Sequence, residues 1–301
     1  MSDQAVSYAA LVAERFPAPS DRYILSVDVE EYYNHIPDAD ALPGIGGVPK
    51  RAHETLPRLL DLFEERKVHA TFFVLGTVVE RIEALLGRIA EAGHEIACHG
   101  WSHRRVHLMT AAEFAADIAR SRDRIEAATG ARPRGYRAPA FSMAGSTLWA
   151  FDVLRNEGFD YDSSVAPLSN SFYGGLAAAP MWPHRLANGL VEFPMPVYRL
   201  GPLRTLIGGG FYLRFFPLWL NRLLLRRYSR RNLCPPVVYI HPWEFDEAKY
   251  NPWDVGLEHP CLKERKRFMR WAMTLNRHRA LPRFEQLLRG QRWTCFRELL
   301  A

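Results

Sequence analysis

Cysteine is scarce in this chain of 301 residues: there are four, Cys98, Cys234, Cys261 and Cys295, and no two form a C-x-x-C pair. That spacing excludes a disulfide framework and suits free thiols in a reducing compartment. Long apolar runs are missing too, since no stretch approaches the ~20 residues that a membrane-spanning helix requires. Residues 1–10 lack the basic start and apolar core of a secretory signal, so the expected location is the cytoplasm. There is no internal repeat and no low-complexity tract, which excludes solenoids and compositionally biased linkers. Acidic excess is absent as well: 39 Lys and Arg against 33 Asp and Glu leave a formal charge of +6. A basic balance favours anionic glycans, phospholipid surfaces or nucleic acid. No zinc-finger spacing or RNA-binding aromatic signature accompanies it, so nucleic acid is not an expected partner.

A content of 48% hydrophobic and 24% charged residues is that of an ordinary soluble protein. Single α/β barrels commonly reach this length. Residues 1–21 read as a polar lead-in and 22–301 as a single catalytic domain, insertion-rich over 166–235 and ending in helices over 262–301. From Tyr23 onward, apolar runs alternate with helical patterns, as expected of βα units around a parallel sheet. Tyr23–Val27, His69–Leu75, Glu95–Cys98, Arg134–Arg137, Phe159–Asp162, Leu190–Phe193 and Val237–Ile240 read as strands. Thr110-Ala-Ala-Glu113 is a capping box opening a helix that stops at Gly130, and Gly93 ends another.

Polar groups fall where those strands finish. Asp28 and Glu30, His99 and His103, Arg137, Asp162 and His241 each lie at or just past a strand's C-terminal end. In a parallel barrel these ends converge on one face, where catalytic residues gather. Two imidazoles four residues apart and a carboxylate make half of a divalent-metal site, and the remaining carboxylate makes a base beside it. Alternation in a strand puts residues 28 and 30 on the same side, with Val29 pointing away. His94, His107 and His184 read as surface residues, and Gly208-Gly-Gly210 as a tight turn or a close backbone approach.

The motifs Ser26-Val-Asp-Val-Glu-Glu31, Ala70-Thr-Phe-Phe73, Gly93-His-Glu-Ile-Ala-Cys-His-Gly-Trp-Ser-His103, Gly135-Tyr-Arg-Ala-Pro-Ala-Phe141, Tyr161-Asp-Ser-Ser164, Gly208-Gly-Gly-Phe211 and Tyr239-Ile-His-Pro-Trp-Glu244 jointly carry a likeness. From about Tyr23 to the C-terminal helices the chain resembles the polysaccharide deacetylase family, carbohydrate esterase family 4. The likeness is strongest to a subfamily associated with bacterial exopolysaccharide loci. The resemblance implies a distorted (β/α) barrel with a C-terminal helical extension, holding an amide hydrolase site. It implies that Glu30, His99 and His103 bind a divalent ion, Zn²⁺ in first place, with Co²⁺ or Fe²⁺ compatible with the same donors. Asp28 becomes the general base, Arg137 its orienting cation and His241 the acid that protonates the departing amine. Asp162 is the expected partner of His241, with Glu244 and Asp246 as rivals.

The family's usual pair of adjacent aspartates is here Asp28-Val-Glu30, so the ligand role moves two residues on. Ala140 stands where a tyrosine is usual, which costs little if that position offers only a backbone N–H to the oxyanion. A usual tryptophan is also missing, with Val165 three positions after Asp162. Trp243 and Trp101 suit stacking on a sugar ring or core packing equally. The implied reaction is removal of an N-acetyl group from an amino sugar of a bacterial polysaccharide or its lipid-linked precursor. The same site on a formamido sugar or a cyclic amide, and a non-catalytic carbohydrate-binding protein, are the alternatives. Phe211–Arg231 combines aromatics with Arg222, Arg226, Arg227, Arg230 and Arg231 and reads either as a barrel-covering helix or as a peripheral contact with the inner face of the membrane. Burial of Phe216, Trp219 and Leu223 against the barrel would favour the first.

Overall fold

The computed structural model describes all residues except 1–6, 37–38, 169–173, 201–202, 249, 252, 254–255, 257, 260–265 and 301. Cys261 and the first residues of the expected 262–301 helices therefore lie outside the described residues. The strands are β1 Val12–Arg15, β2 Arg22–Val29, β3 Thr71–Val74, β4 Glu95–Cys98, β5 Gly135–Tyr136, β6 Tyr161–Asp162, β7 His184–Leu186, β8 Val191–Glu192, β9 Val197–Leu200, β10 Leu203–Leu206, β11 Val237–Ile240 and β12 Arg292–Thr294. The helices are α1 Tyr8–Leu11, α2 Ala52–Arg66, α3 Val79–Glu91, α4 Ala111–Thr129, α5 Trp149–Asn156, α6 Gly210–Phe215, α7 Leu218–Asn232, α8 Lys266–Thr274, α9 Ala280–Leu288 and α10 Arg297–Leu300.

Seven strands run parallel in the order β11-β2-β3-β4-β5-β6-β8, with β7 and β1 added antiparallel beyond β8. Alternation sorts their side chains into two cores. Leu25, Val27 and Val29 of β2, with Phe72, Val74, Cys98, Val238 and Ile240, meet the helices through Leu56, Phe63, Ile82, Leu86, Ile118 and Phe284. Ile24, Phe73, Ala97, Tyr161, Val191 and Tyr239, from six different strands, instead pack against one another. Side chains of a sheet meet across its own interior only when it is rolled up, so the fold is a distorted (β/α) barrel. Ile24 continues along the inner face to Ser26 and Asp28, and thus to the C-terminal rim.

The local signals hold at the helix ends. Thr110 accepts from the Glu113 N–H, the Glu113 carboxylate accepts from the Thr110 N–H, and Gly130 closes α4 with φ of 70°. Three expectations need correcting. The supposed lead-in is structured from Tyr8: β1 pairs with β7, and buried Tyr8 lies 2.8 Å from His184. His94 and His184 are buried rather than superficial, His94 accepting from the Ala70 N–H between the rings of Phe63 and Phe72. The C-terminal region is not all helical, because β12 runs beside the start of β2.

That last strand closes the barrel floor. Its sequel drives Phe296, fully buried, between the rings of Phe73, Tyr161 and Phe193 at 5.7, 5.1 and 5.0 Å. The Phe296 N–H donates to Thr71 Oγ1, and the Arg297 N–H donates to buried Glu95.

Candidate active site and metal centre

At the opposite rim, Glu30, His99 and His103 bring one donor atom each to within 4.8 Å of the others. Glu30 follows β2, His99 follows β4, and the turn after it returns His103 to the same point. His103 Nε2 lies 2.9 Å and His99 Nε2 3.9 Å from Glu30 Oε2. The return requires His103 to adopt a φ of 61°, a left-handed conformation that costs roughly 1–2 kcal/mol in a residue with a Cβ. Strain of this kind persists where the surroundings over-determine it.

The donor set suits a divalent cation. All three side chains are buried, and the Glu30 carboxylate lies between the two imidazoles. Burial pushes His99 down to about 4, so its imidazole is the neutral ligand form. His99 Nδ1 lies 2.8 Å from the Arg137 carbonyl, which fixes the tautomer and leaves Nε2 to the site. Burial by itself would raise the Glu30 carboxyl, but His103, His241 and His99 hold it well below the usual carboxylate range.

Asp28 sits on the inner face one step earlier on β2. Arg137, with no exposed surface, donates to Asp28 Oδ1 at 2.6 Å, to Ser26 Oγ at 2.8 Å and to the carbonyl and hydroxyl of Ser163 at 3.1 and 3.0 Å. Its guanidinium lies 4.1 Å over the Phe73 ring, so every side of a buried cation is answered. His241, just past β11, places Nε2 4.0 Å from Asp28 Oδ2 and 3.7 Å from Glu30 Oε1. Its other nitrogen faces Glu244 at 3.4 Å. Burial opposes a charge on His241, yet the bond to Glu244 and the nearby Glu30 and Asp28 raise it to about 9.

Glu244 therefore holds the place expected of Asp162. Asp162 is turned elsewhere: it accepts from Ser164 Oγ and shares a hydrogen bond with Glu192. Ser164 in turn accepts from the Ala138 N–H at 2.7 Å, so Asp162 braces the turn after Arg137. Asp246, the other rival, is bound by Arg51 at 3.0 Å. Gly210 is the missing side chain that admits Glu244, since a Cβ there would overlap its carboxylate.

Ala140 and Phe141 both adopt left-handed backbone, φ of 53° and 51°, in the turn that follows Arg137. Trp243 stacks on His241 at 5.2 Å and donates to Glu30 Oε1 at 3.3 Å, so it orients two site residues. Trp101 packs on Gly76 and lies 3.6 Å under the Arg120 guanidinium, a packing role rather than an open platform. Sequence reasoning missed His35. Its ring is tilted against Trp253, its Nε2 is buried without a hydrogen-bond partner, and it feels the charges of Glu30, His103 and His241. One histidine in a turn carries no spacing signal. Arg214, which reaches Glu244 at 3.5 Å from α6, left no signal for the same reason.

Residues 41–158 match the family described as polysaccharide deacetylase, and residues 163–301 match a domain of unknown function, DUF3473. The polysaccharide deacetylase match spans α2 to α5 and takes in His99, His103 and Arg137. The gap between the two matched stretches holds β6, inside one continuous sheet. A peptidoglycan deacetylase of Helicobacter pylori is 36% identical over 110 residues, 36% of each chain. A peptidoglycan-N-acetylglucosamine deacetylase of Bacillus cereus is 26% identical over 152 residues, 46% of this chain and 55% of its own. The chain thus spans about half or less of the length of the curated relatives named here. Among solved structures, a polysaccharide deacetylase-type protein from Mycobacterium smegmatis superposes with a TM-score of 0.57 at 21% identity, covering 96% of this chain and 92% of its own. The Puue allantoinase superposes with the same TM-score at 15% identity, covering 95% and 91%. Both likenesses concern the barrel fold.

Proposed function

We propose that this protein is a metal-dependent N-deacetylase of the polysaccharide deacetylase family. It would act on an amino sugar of a bacterial exopolysaccharide, most naturally on the lipid-linked precursor on the cytoplasmic side. The observation that carries the reading is the pairing of Asp28 and His241 on either side of the Glu30–His99–His103 donor group. When a divalent ion is held by those three residues it supplies Lewis acidity, polarising the amide carbonyl and lowering the pKa of water. Zn²⁺ is the first expectation and Co²⁺ or Fe²⁺ fit the same donors.

The chain's own groups do the rest. Arg137 keeps Asp28 oriented, so that its free oxygen takes a proton from the attacking water. His241 is held protonated by Glu244 and gives its proton to the amine as the C–N bond breaks. The Ala140 backbone N–H, presented by a strained turn, is the candidate donor to the developing oxyanion. Trp243 fixes the ring of His241 while tying Glu30 at the same time.

The test is incubation of the metal-stripped and metal-reloaded protein with N-acetylglucosamine oligosaccharides and lipid-linked acetamido sugars. Acetate release that returns with metal is the expected result. Formate release from formamido sugars alone would move the assignment to a deformylase. No amide cleavage of any substrate with any metal, despite glycan binding, would leave a carbohydrate-binding protein.

A further inference from the structure

Three of the seven large hydrophobic side chains exposed among the described residues lie together, Phe215 at 47%, Phe268 at 55% and Trp271 at 43% exposure, and a fourth, Trp219 at 66%, follows four residues after Phe215. They belong to α6, its near neighbour α7, and α8, which is distant in sequence. Phe215 of α6 lies 6.1 Å from Trp271 of α8, which lies 5.8 Å from Phe268; Trp219 stands in the first turn of α7, beyond an extended link, while Phe216 and Leu223 are half-buried. Scattered exposed hydrophobics are ordinary, but a contiguous aromatic patch marks an interaction site.

The charge around the patch selects the partner. Helices α6, α7 and α8 hold nine of the chain's 39 Lys and Arg and none of its 33 Asp and Glu. The rest of the chain, 30 against 33, is net acidic, so these helices carry the whole positive excess. On α7, Trp219, Arg226 and Arg230 are spaced to share one face, and all three are exposed.

We infer that this aromatic face of α6, α7 and α8 docks on an anionic lipid bilayer. Phe and Trp enter the boundary between headgroups and acyl chains while arginines meet the lipid phosphates. The face adjoins the active site through one side chain. Arg214 of α6 donates to the Ala272, Met273 and Leu275 carbonyls at the end of α8 and also reaches Glu244, the partner of His241. A lipid-linked sugar at a bilayer held there meets the catalytic groups, and the functional sense of the docking rests on the lipid-linked reading proposed above. Among the described residues, no helix is long and apolar enough to cross a membrane, so contact through these helices is peripheral.

The full chain should sediment with vesicles of mixed phosphatidylglycerol and phosphatidylcholine at low salt, and leave them as salt shortens the Debye length. Partition should fall at least about tenfold in R226Q/R227Q/R230Q/R231Q, and similarly in F215S/W219S/F268S/W271S. Thermal unfolding would verify that each variant is folded. If the aromatic variant does not fold, quenching of wild-type tryptophan fluorescence by brominated lipid reads the same insertion. Failure of the wild type to bind anionic vesicles, binding untouched by the aromatic changes, or absence of quenching overturns the inference. Acetate release from soluble oligosaccharide is measured separately, so loss of docking and loss of deacetylation are distinguishable.

Discussion

Removing one partner of a buried ion pair is far worse than never having built it, because the other charge stays behind. Arg137→Met should therefore cost about 3–5 kcal/mol in urea unfolding, by stranding Asp28 against Phe73. Asp28→Asn keeps the shape but cannot accept a proton. It should retain metal and lose roughly 10²–10⁴-fold in kcat, the usual contribution of a general base. Metal loss in Asp28→Asn, with metal kept in Glu30→Gln, would reverse the two carboxylate roles. Glu244→Gln removes the charge that favours protonated His241, so the alkaline limb of the pH–rate profile should shift to lower pH. An unmoved limb would point to another acid. Asp28, Glu30, His99, His103, Arg137 and His241 were legible because each ends a strand with readable alternation. His35 and Arg214 were not, and Glu244 was legible only as a rival of Asp162, since their approach to the site is set by a turn, a missing Cβ at Gly210 and a helix packed across the barrel.

At the level of elements, the parallel core was readable because buried strands are continuous apolar runs between helical periods. The pieces that escaped are short. β12 has three residues, Arg-Trp-Thr, and β1 has four, too few for a period of two to stand out from a helix or a loop. Both extend the sheet, and β12 matters more because it delivers Phe296 to the barrel floor. Phe296→Ala should destabilise the protein by about 3–5 kcal/mol, the range for emptying a buried aromatic site. The metal centre lies at the other end of the strands, so metal content of the folded variant should not change. Denaturant midpoints together with metal analysis check both halves, and a loss below about 1 kcal/mol would mean that the floor collapses onto the gap.

For the molecule as a whole, the buried ionisable groups define a window of stability in pH. Burial lowers His94 and His184 to about 4, so both are neutral in the fold while the unfolded chain protonates them near 6.5. Their contribution is full above about 6.5 and lost as pH falls toward 4, on the order of 3 kcal/mol for each. The carboxyl pair has the opposite sign. Burial raises Asp162, and burial together with Asp162 raises Glu192 further, so the pair retains a proton that the unfolded chain has given up. Stability tied to that proton is full below the ordinary carboxylate range and is lost as pH rises through the raised values. Glu192→Gln supplies a permanent N–H where the shared proton sits. It should therefore flatten the decline of Tm on the alkaline side while leaving the acid limb, set by His94 and His184, in place. Thermal melts of wild type and Glu192→Gln from pH 4 to 9 measure both limbs in one series. An alkaline decline equally steep in the variant would show that Asp162 and Glu192 do not hold the proton between them.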